Sequence, residues 1–280
     1  MKSLLISGCS SGIGRATALH FAGKGYRVFA GVRKEADAAS LTAADGSGNL
    51  EPVMLDVTSV EQCQAVADLL AATLGPSGLD VLVNNAGVGD GAPLEFVDPE
   101  MVRHTFEVNV MGPLLLTQSL LPLIRLARGR IITVGSISGK LSGPINGPYS
   151  MSKFAVEAFC DSLRAELAPQ GIQVSLIEPG PVETPMLLGV PALVETAKST
   201  LPAEALALYG DQIRGMANYF AALGRRASSP LDAAKVIERA VESRRPKTRY
   251  LVGRDAKIGA VLKWLLPDRA FDFVNGLQMR

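Results

Sequence analysis

Cysteine, histidine and net charge are all scarce in this sequence, and each scarcity removes a class of function. Three cysteines, Cys9, Cys63 and Cys160, in 280 residues are too few and too scattered for a disulfide framework. A reducing compartment follows by default, and a cytoplasmic location is expected. Two histidines, His20 and His104, offer no zinc-ligand spacing, so no metal site is expected and His104 reads as a surface residue. Lys and Arg total 28 against 27 Asp and Glu, a net charge of +1. That balance lacks the basic excess a nucleic-acid groove needs, and no nucleic-acid partner is expected. No run reaches 18 uninterrupted apolar residues, so a membrane-spanning helix is not expected. The opening MKSLLISGCSSGIG passes straight from a short apolar run into glycines and leaves no room for a signal peptide.

What is present is apolar substance, 48% of the chain, together with 28 glycines. That composition excludes a disordered scaffold, and the length suits one large α/β unit carrying an insertion. Short apolar runs at 3–7, 27–32, 50–54, 81–84, 130–134 and 173–177 alternate with helical stretches at 14–24, 60–73, 99–126 and 148–167. The alternation predicts a single Rossmann-type, doubly wound parallel sheet with helices on both faces, spanning 1–280 as one domain. Ser59 and Asp98 stand at N-cap positions, with Pro99 in the first helical turn.

From 185 to 230 the rhythm breaks. Leu206, Tyr209, Ile213, Met216, Phe220 and Leu223 recur at helical spacing, which makes this segment a C-terminal helical lid insertion. Their stripe either lines a substrate pocket or packs on the body or another subunit, and the sequence weighs the two equally. A helix over 232–243 and a strand around 250–252 follow. The 245–280 extension ends in an apolar tail with Trp264, Leu265, Leu266, Phe271 and Phe273, expected to cover the core, with a dimer contact or peripheral membrane contact as alternatives.

Gly8, Gly12 and Gly14 follow the first strand and open the first helix. A loop so placed lets the backbone approach a pyrophosphate while the helix N-terminus faces the anion. Cys9 within it reads as a small residue tolerated in the turn, since a redox sensor would have only Arg15 as basic support. Tyr149 and Lys153, four apart, share one helix face. A phenol with a pKa of ~10 needs about 4 kcal/mol of help to act as an acid and base near neutrality, and an ammonium at i+4 is expected to supply part of it. Ser136 follows the fifth strand at the sheet edge where open α/β folds bind ligands. Ser138 is its rival. Each residue alone has a packing role available; their joint occurrence downstream of a dinucleotide loop argues for chemistry.

The set SGCSSGIG at 7–14, NNAG at 84–87, Asn109, Ser136 and Tyr149-Ser-Met-Ser-Lys153 resembles the short-chain dehydrogenase/reductases, over residues 1 to about 186. The resemblance implies that Gly8, Ser10, Ser11, Gly12, Ile13, Gly14, Asn85, Ala86 and Gly87 surround a dinucleotide. It also implies that Asp56 and Val57 hold its adenine, and that Pro179, Gly180, Val182 and Thr184 flank its nicotinamide, with Tyr149 and Lys153 also in contact. Asn109 is implied to hold a water that relays protons to Lys153. Ser136 is favoured over Ser138 by the family's usual interval of thirteen residues before Tyr149. Where many NAD-preferring members carry Asp, this sequence has Val32 followed by Arg33 and Lys34. A missing carboxylate and a present guanidinium favour NADP(H) over NAD(H).

The stretches SGCSSGIGRA, VFAGVRK, LDVTSVE, GPYSMSKFAVEAF and LIEPGPVET resemble the 17β-hydroxysteroid and retinol dehydrogenase branch. That branch implies a lipophilic alcohol or ketone of steroid or retinoid type. The expected function is NADP(H)-dependent hydride transfer at a carbonyl or alcohol carbon, with Asn109, Ser136, Tyr149 and Lys153 catalytic. A β-ketoacyl-thioester reductase and a noncatalytic NADP-sensing regulator are the alternatives. By analogy with family members that pair through the 99–126 and 148–167 helices, a homo-oligomer is expected.

Overall fold

Six of the seven strands among the described residues lie where short apolar runs stood in the sequence, because a strand covered on both faces needs no polar alternation. The computed structural model describes residues 1–278, so the last two residues of the 245–280 extension lie outside the described residues. In chain order the elements are β1 Ser3–Ile6, α1 Gly12–Gly23, β2 Arg27–Val32, α2 Glu35–Ala44, β3 Leu50–Met54, α3 Val60–Leu74 and β4 Val81–Asn84. Then come α4 Pro99–Phe106, a π-helical turn Glu107–Met111, α5 Gly112–Ala127, β5 Arg130–Val134, α6 Gly147–Leu167 and β6 Gln173–Pro179. The last part holds α7 Pro185–Leu188, α8 Leu193–Thr200, α9 Ala203–Gly224, α10 Pro230–Glu242, β7 Arg249–Val252, α11 Arg254–Leu265 and α12 Asp268–Gln278.

The strands form one sheet in the order β3-β2-β1-β4-β5-β6-β7, every neighbouring pair parallel. One face buries Phe21, Val28, Ile132 and Ile237 beneath α1 and α10; the other buries Phe29, Leu82, Leu116, Leu120 and Ile124 beneath α3, α5 and α6. Burying each such side chain contributes roughly 1.5–3 kcal/mol. The expected caps are in place: Ser59 Oγ accepts from Gln62 N at 3.1 Å and an Asp98 carboxylate oxygen from Glu100 N at 2.9 Å.

Three features differ from the sequence reading. Helix α2, rich in Ala and lacking a side-chain cap at Lys34, was absent from the expected elements. The 99–126 helix is broken at Glu107–Met111 into a π turn that reorients Asn109. Although Pro99–Ala127 is long and apolar enough to cross a membrane by length and composition, 39% of its most apolar 18-residue stretch is buried inside the protein, and α5 packs against α3 and β4.

The third is the tail. Phe271 is buried, but Trp264 is 83% exposed, Leu265 59% and Phe273 67%, so most of the apolar tail does not cover the core as expected. The inner face of α11 explains this: small Ala256 and Gly259 meet the body, and the large side chains turn outward.

Candidate active site

Strand order reverses between β1 and β4, so the loops leaving their carboxyl ends part and open a crevice. That crevice is the mouth of a cleft of about 1030 Å³ running from the end of β2 to the lid.

At one end lies the glycine loop. Gly8 and Gly12 have φ of +72° and +54°, the left-handed region that a side chain resists. A Cβ on Gly14 would stand 2.1 Å from Gly8 O, and one on Gly8 would stand 2.8 Å from the Ala86 Cα. Asn85 closes the loop by donating from Nδ2 to Ser7 O and Gly8 O at 2.9 and 3.1 Å, while Ser7 Oγ accepts from the amides of Asn85 and Ala86. Ser11 caps α1 without a side-chain hydrogen bond, and no acidic residue sits in the first turn. The first amides of α1 therefore face the cleft free for an anion. This bare, positively polarised cradle fits the pyrophosphate of a nicotinamide dinucleotide.

Ser10, Ser11, Ile13, Arg33, Asp56, Val57, Gly87, Pro179, Gly180, Val182 and Thr184 line the same cleft with the glycines, Asn85 and Ala86. Among the described residues no ion pair engages Arg33 or Lys34, both exposed on the cleft wall. Burial opposes the charge of Asp56, but hydrogen bonds from Thr58 N and Oγ1, at 3.0 and 2.8 Å, and the charges of Arg33 and His104 hold it below the usual carboxylate range. Its carboxylate thus caps the turn after β3 as well as facing the cleft. Thr184 Oγ1 caps α7, and its Cγ2 packs against Gly12. Cys9 is fully buried, its Sγ donates to Ile6 O at 3.3 Å, and burial pushes its thiol far up, which removes a thiolate sensor.

Ser136, Ser138, Tyr149 and Lys153 line the middle of the cleft. Ser136 Oγ accepts from Ser138 N at 3.1 Å and so caps the turn Ile137–Gly139. Burial raises the Tyr149 phenol, and the Ser136 hydroxyl beside it works in the opposite direction. Burial lowers Lys153 to about 8; its Nζ donates to Val134 O at 3.1 Å and stands 5.6 Å from the Tyr149 ring centroid. The expected lowering of the phenol by the neighbouring ammonium is not what the protein alone provides: burial is the largest influence on it and raises it.

Asn109 does not line the cleft. Its Oδ1 accepts from Val88 N at 2.8 Å, and its Nδ2 donates to Val88 O and Ser152 Oγ, both at 2.9 Å. The π turn aims it there, tying the loop after β4 to α6 one residue before Lys153.

The lid resolves the question left open by its periodicity. Met216, Phe220 and Leu223 line the cleft, whereas Ile213 and Met216 also pack with Ile145 and Ala197, so α9 is pocket wall and packing element at once. Met186, Gly89 and Gly91 line the cleft but escaped the sequence reading, and Met216 was legible only as one member of the lid stripe. Met186 Sδ would lie 3.0 Å from a Cβ on Gly89, and Met216 Cε 3.4 Å from one on Gly91, so two bare glycines after β4 make room for two lid methionines. Ile145, four residues before Tyr149, has φ +65°, a strained setting for a β-branched residue that no sequence pattern announces.

Residues 2–192 match the family model described as short chain dehydrogenase. Retinol dehydrogenase 5 of Mus musculus is 35% identical over 286 residues, 94% of this chain and 88% of the relative. An NADPH-dependent 3-dehydrocapnine reductase of Ornithobacterium rhinotracheale is 34% identical over 278 residues, 97% of this chain and 95% of the relative. Among solved structures, a short-chain dehydrogenase from Streptomyces avermitilis aligns with a TM-score of 0.77 at 28% identity, covering 99% of this chain and 94% of that one. One from Burkholderia cenocepacia in complex with NADP aligns with a TM-score of 0.73 at 25% identity over the full length of both. With a third of its residues shared along nearly the whole length of such relatives, the chain belongs to the short-chain dehydrogenase/reductase family and is an NAD(P)-dependent oxidoreductase.

Proposed function

We propose that this oxidoreductase uses NADP(H) in preference to NAD(H) to interconvert a carbonyl and an alcohol on a lipophilic substrate of steroid or retinoid type. The observation that carries the reading is the convergence of Ser136, Tyr149 and Lys153 on a single cleft that has a glycine cradle at one end and lid side chains Met186, Met216 and Phe220 at the other. Polar reacting groups against an apolar wall suit a hydrophobic substrate with one oxygen to be held. The retinol dehydrogenase relatives support the same class.

When bound, the cofactor supplies or accepts the hydride. The protein's residues do the rest. Ser136 holds the substrate oxygen toward Tyr149, whose phenol gives up or takes the proton at that oxygen. Lys153, whose Nζ stands 5.6 Å from the phenol ring centroid, assists by its charge against the burial that raises Tyr149. Asn109 orders Val88 and Ser152 and thereby supports the proton path implied for it. Arg33, with Lys34 next to it, receives the 2′-phosphate. We read 1–280 as one domain with 185–230 as its substrate lid, acting in the cytoplasm as a homo-oligomer through the faces of the 99–126 and 148–167 helices, where Met111, Met151 and Phe154 are exposed.

Titration with NADPH and NADH tests the cofactor preference. Arg33→Asp is expected to raise the NADPH dissociation constant roughly 10- to 100-fold, about 1.4–2.8 kcal/mol, and NADH changes little. Wild-type protein that binds NADH as tightly as NADPH contradicts the assignment. Turnover on a panel of retinal, a ketosteroid and a β-ketoacyl thioester separates the lipophilic reading from a thioester reductase, and tight NADPH binding with no turnover on any of them favours a regulator.

A further inference from the structure

Near Ser136 lies a cluster of charge, partly exposed but centred on the buried Glu178, that hydride transfer does not use. Lys140 follows the turn Ile137–Gly139 and sends Nζ to within 2.9 Å of Glu178 Oε1 and 3.7 Å of Glu157 Oε2. Glu178 is on β6, next to Pro179 at the cleft, and is 1% exposed. Glu157 is on α6, one turn beyond Lys153. Arg249 closes the cluster from β7. Its Nε and Nη2 approach Glu157 Oε2 at 2.9 and 2.8 Å, Nη2 reaches Asp161 Oδ2 at 2.7 Å, and Nε lies 3.4 Å from Glu178 Oε1. Arg164 pairs with the far side of Asp161 at 2.5 Å. Charges from α6, β6, β7 and the turn thus meet behind the serine.

Contacts to α6 and β6 help hold the turn that carries Ser136, alongside the hydrogen bond that Asn146 Nδ2 donates to Ser138 Oγ at 3.4 Å. Gly139 lies so near α6 that a Cβ there would stand 2.8 Å from Lys153 O and 3.1 Å from Glu157 Cγ. Lys140 supplies the second hold, onto β6. Sheet and helix are rigid, but a three-residue 3-10 turn is not, and its place depends on those ends. A buried carboxylate such as Glu178 with no apolar use is costly to keep, which makes a plain packing role a poor account of it.

Resting on the reading that Ser136 holds the substrate oxygen, we propose that Lys140 and Glu178 form a tether that positions the Ser136 turn against Tyr149, so that Lys140 is a positioning residue for hydride transfer. The groups facing Glu178 are Lys140, Glu157 and Arg249, with Asp161 behind Arg249. Burial and the neighbouring Glu157 carboxylate raise Glu178 to about 7, against the pull of Lys140. Protonation of Glu178 as pH falls through that value removes the charge that Lys140 grips, and the tether weakens.

Four variants, read by amide exchange, NADPH affinity and kcat, test this. Lys140→Met alone leaves the buried Glu178 with Arg249, 3.4 Å away, as its remaining cation, so the double variant Lys140→Met with Glu178→Gln removes the tether without leaving that carboxylate under-compensated. In that double variant, amide hydrogen exchange over 136–141 is expected to rise at least 5-fold, while exchange over 8–14 and NADPH affinity stay within 2-fold. With retinal and NADPH, or whichever panel substrate turns over, kcat falls about 10-fold. Lys140→Arg keeps kcat within 3-fold of wild type, and wild-type kcat is expected to fall as pH drops and Glu178 is protonated, a fall that Glu178→Gln alone removes. Unchanged exchange and kcat in the double variant overturn the proposal, as does a uniform rise in exchange across the chain. Ser136→Ala keeps the two readings separate. If that variant retains full turnover, the site reading fails; if it is inactive while the double variant is fully active and protected, only the tether fails.

Discussion

Lys153 carries two opposed demands. Only 5% exposed, it has burial pushing its pKa down to about 8 from an ordinary 10.5. On unfolding it regains that higher value, so between those pH values the unfolded chain binds more protons and stability rises with pH. Below pH 8 the penalty is fully present. Lys153→Met is therefore expected to raise cofactor-free stability at pH 7 by about 2 kcal/mol and flatten the stability slope between pH 8 and 10, measured by denaturant melts, while abolishing turnover. Lower stability at pH 7 contradicts the sign. At this scale most of the site was legible: the glycines, Ser136, Tyr149 and Lys153 all line the cleft as the spacing implied. The direction of the Tyr149 shift was not, because a four-residue interval reports proximity to a charge and says nothing of how much water the fold removes.

Asn109 shows what an element does that a sequence pattern cannot. The run 99–126 read as one helix, since a π turn keeps helical apolar spacing nearly intact. Its consequence is that three side-chain hydrogen bonds of Asn109 knit the loop after β4 to α6. Asn109→Leu removes partners from Val88 N and O and from Ser152, and is expected to cost about 2–4 kcal/mol in denaturant melts. Its effect on kcat should exceed its effect on NADPH affinity. Loss of less than 0.5 kcal/mol would show the knot to be unimportant. Strands were legible to within two residues because buried parallel strands are predominantly apolar. Helix α2 was missed because Ala, Asp and Ser at its start give neither stripe nor cap. The lid helix α9 was visible, but which side of its stripe meets the pocket depends on Gly89 and Gly91, distant in sequence.

At the scale of the whole molecule, one doubly wound sheet brings a glycine loop from the first strand and a tyrosine helix from beyond the fifth to the same edge. That meeting follows from strand order, which the βαβ alternation implied. Surface use is less legible, since exposure of Trp264 and Phe154 reflects how helices rotate on the sheet. The exposed apolar residues Met151 and Phe154 of α6, 40% and 46% exposed, are expected to be covered in an oligomer. Light scattering should show a dimer or tetramer for wild type and monomer for Phe154→Glu; a monomeric wild type contradicts that expectation. The proposed hydride transfer turns on the Tyr149 phenol, and its most direct test is stopped-flow absorbance of bound NADPH mixed with the preferred carbonyl substrate. Tyr149→Phe is predicted to bind NADPH as wild type does and to slow hydride transfer at least ~1000-fold, the loss of one acid–base group and its hydrogen bond to the reacting oxygen. A variant that oxidises NADPH at the wild-type rate would contradict the mechanism.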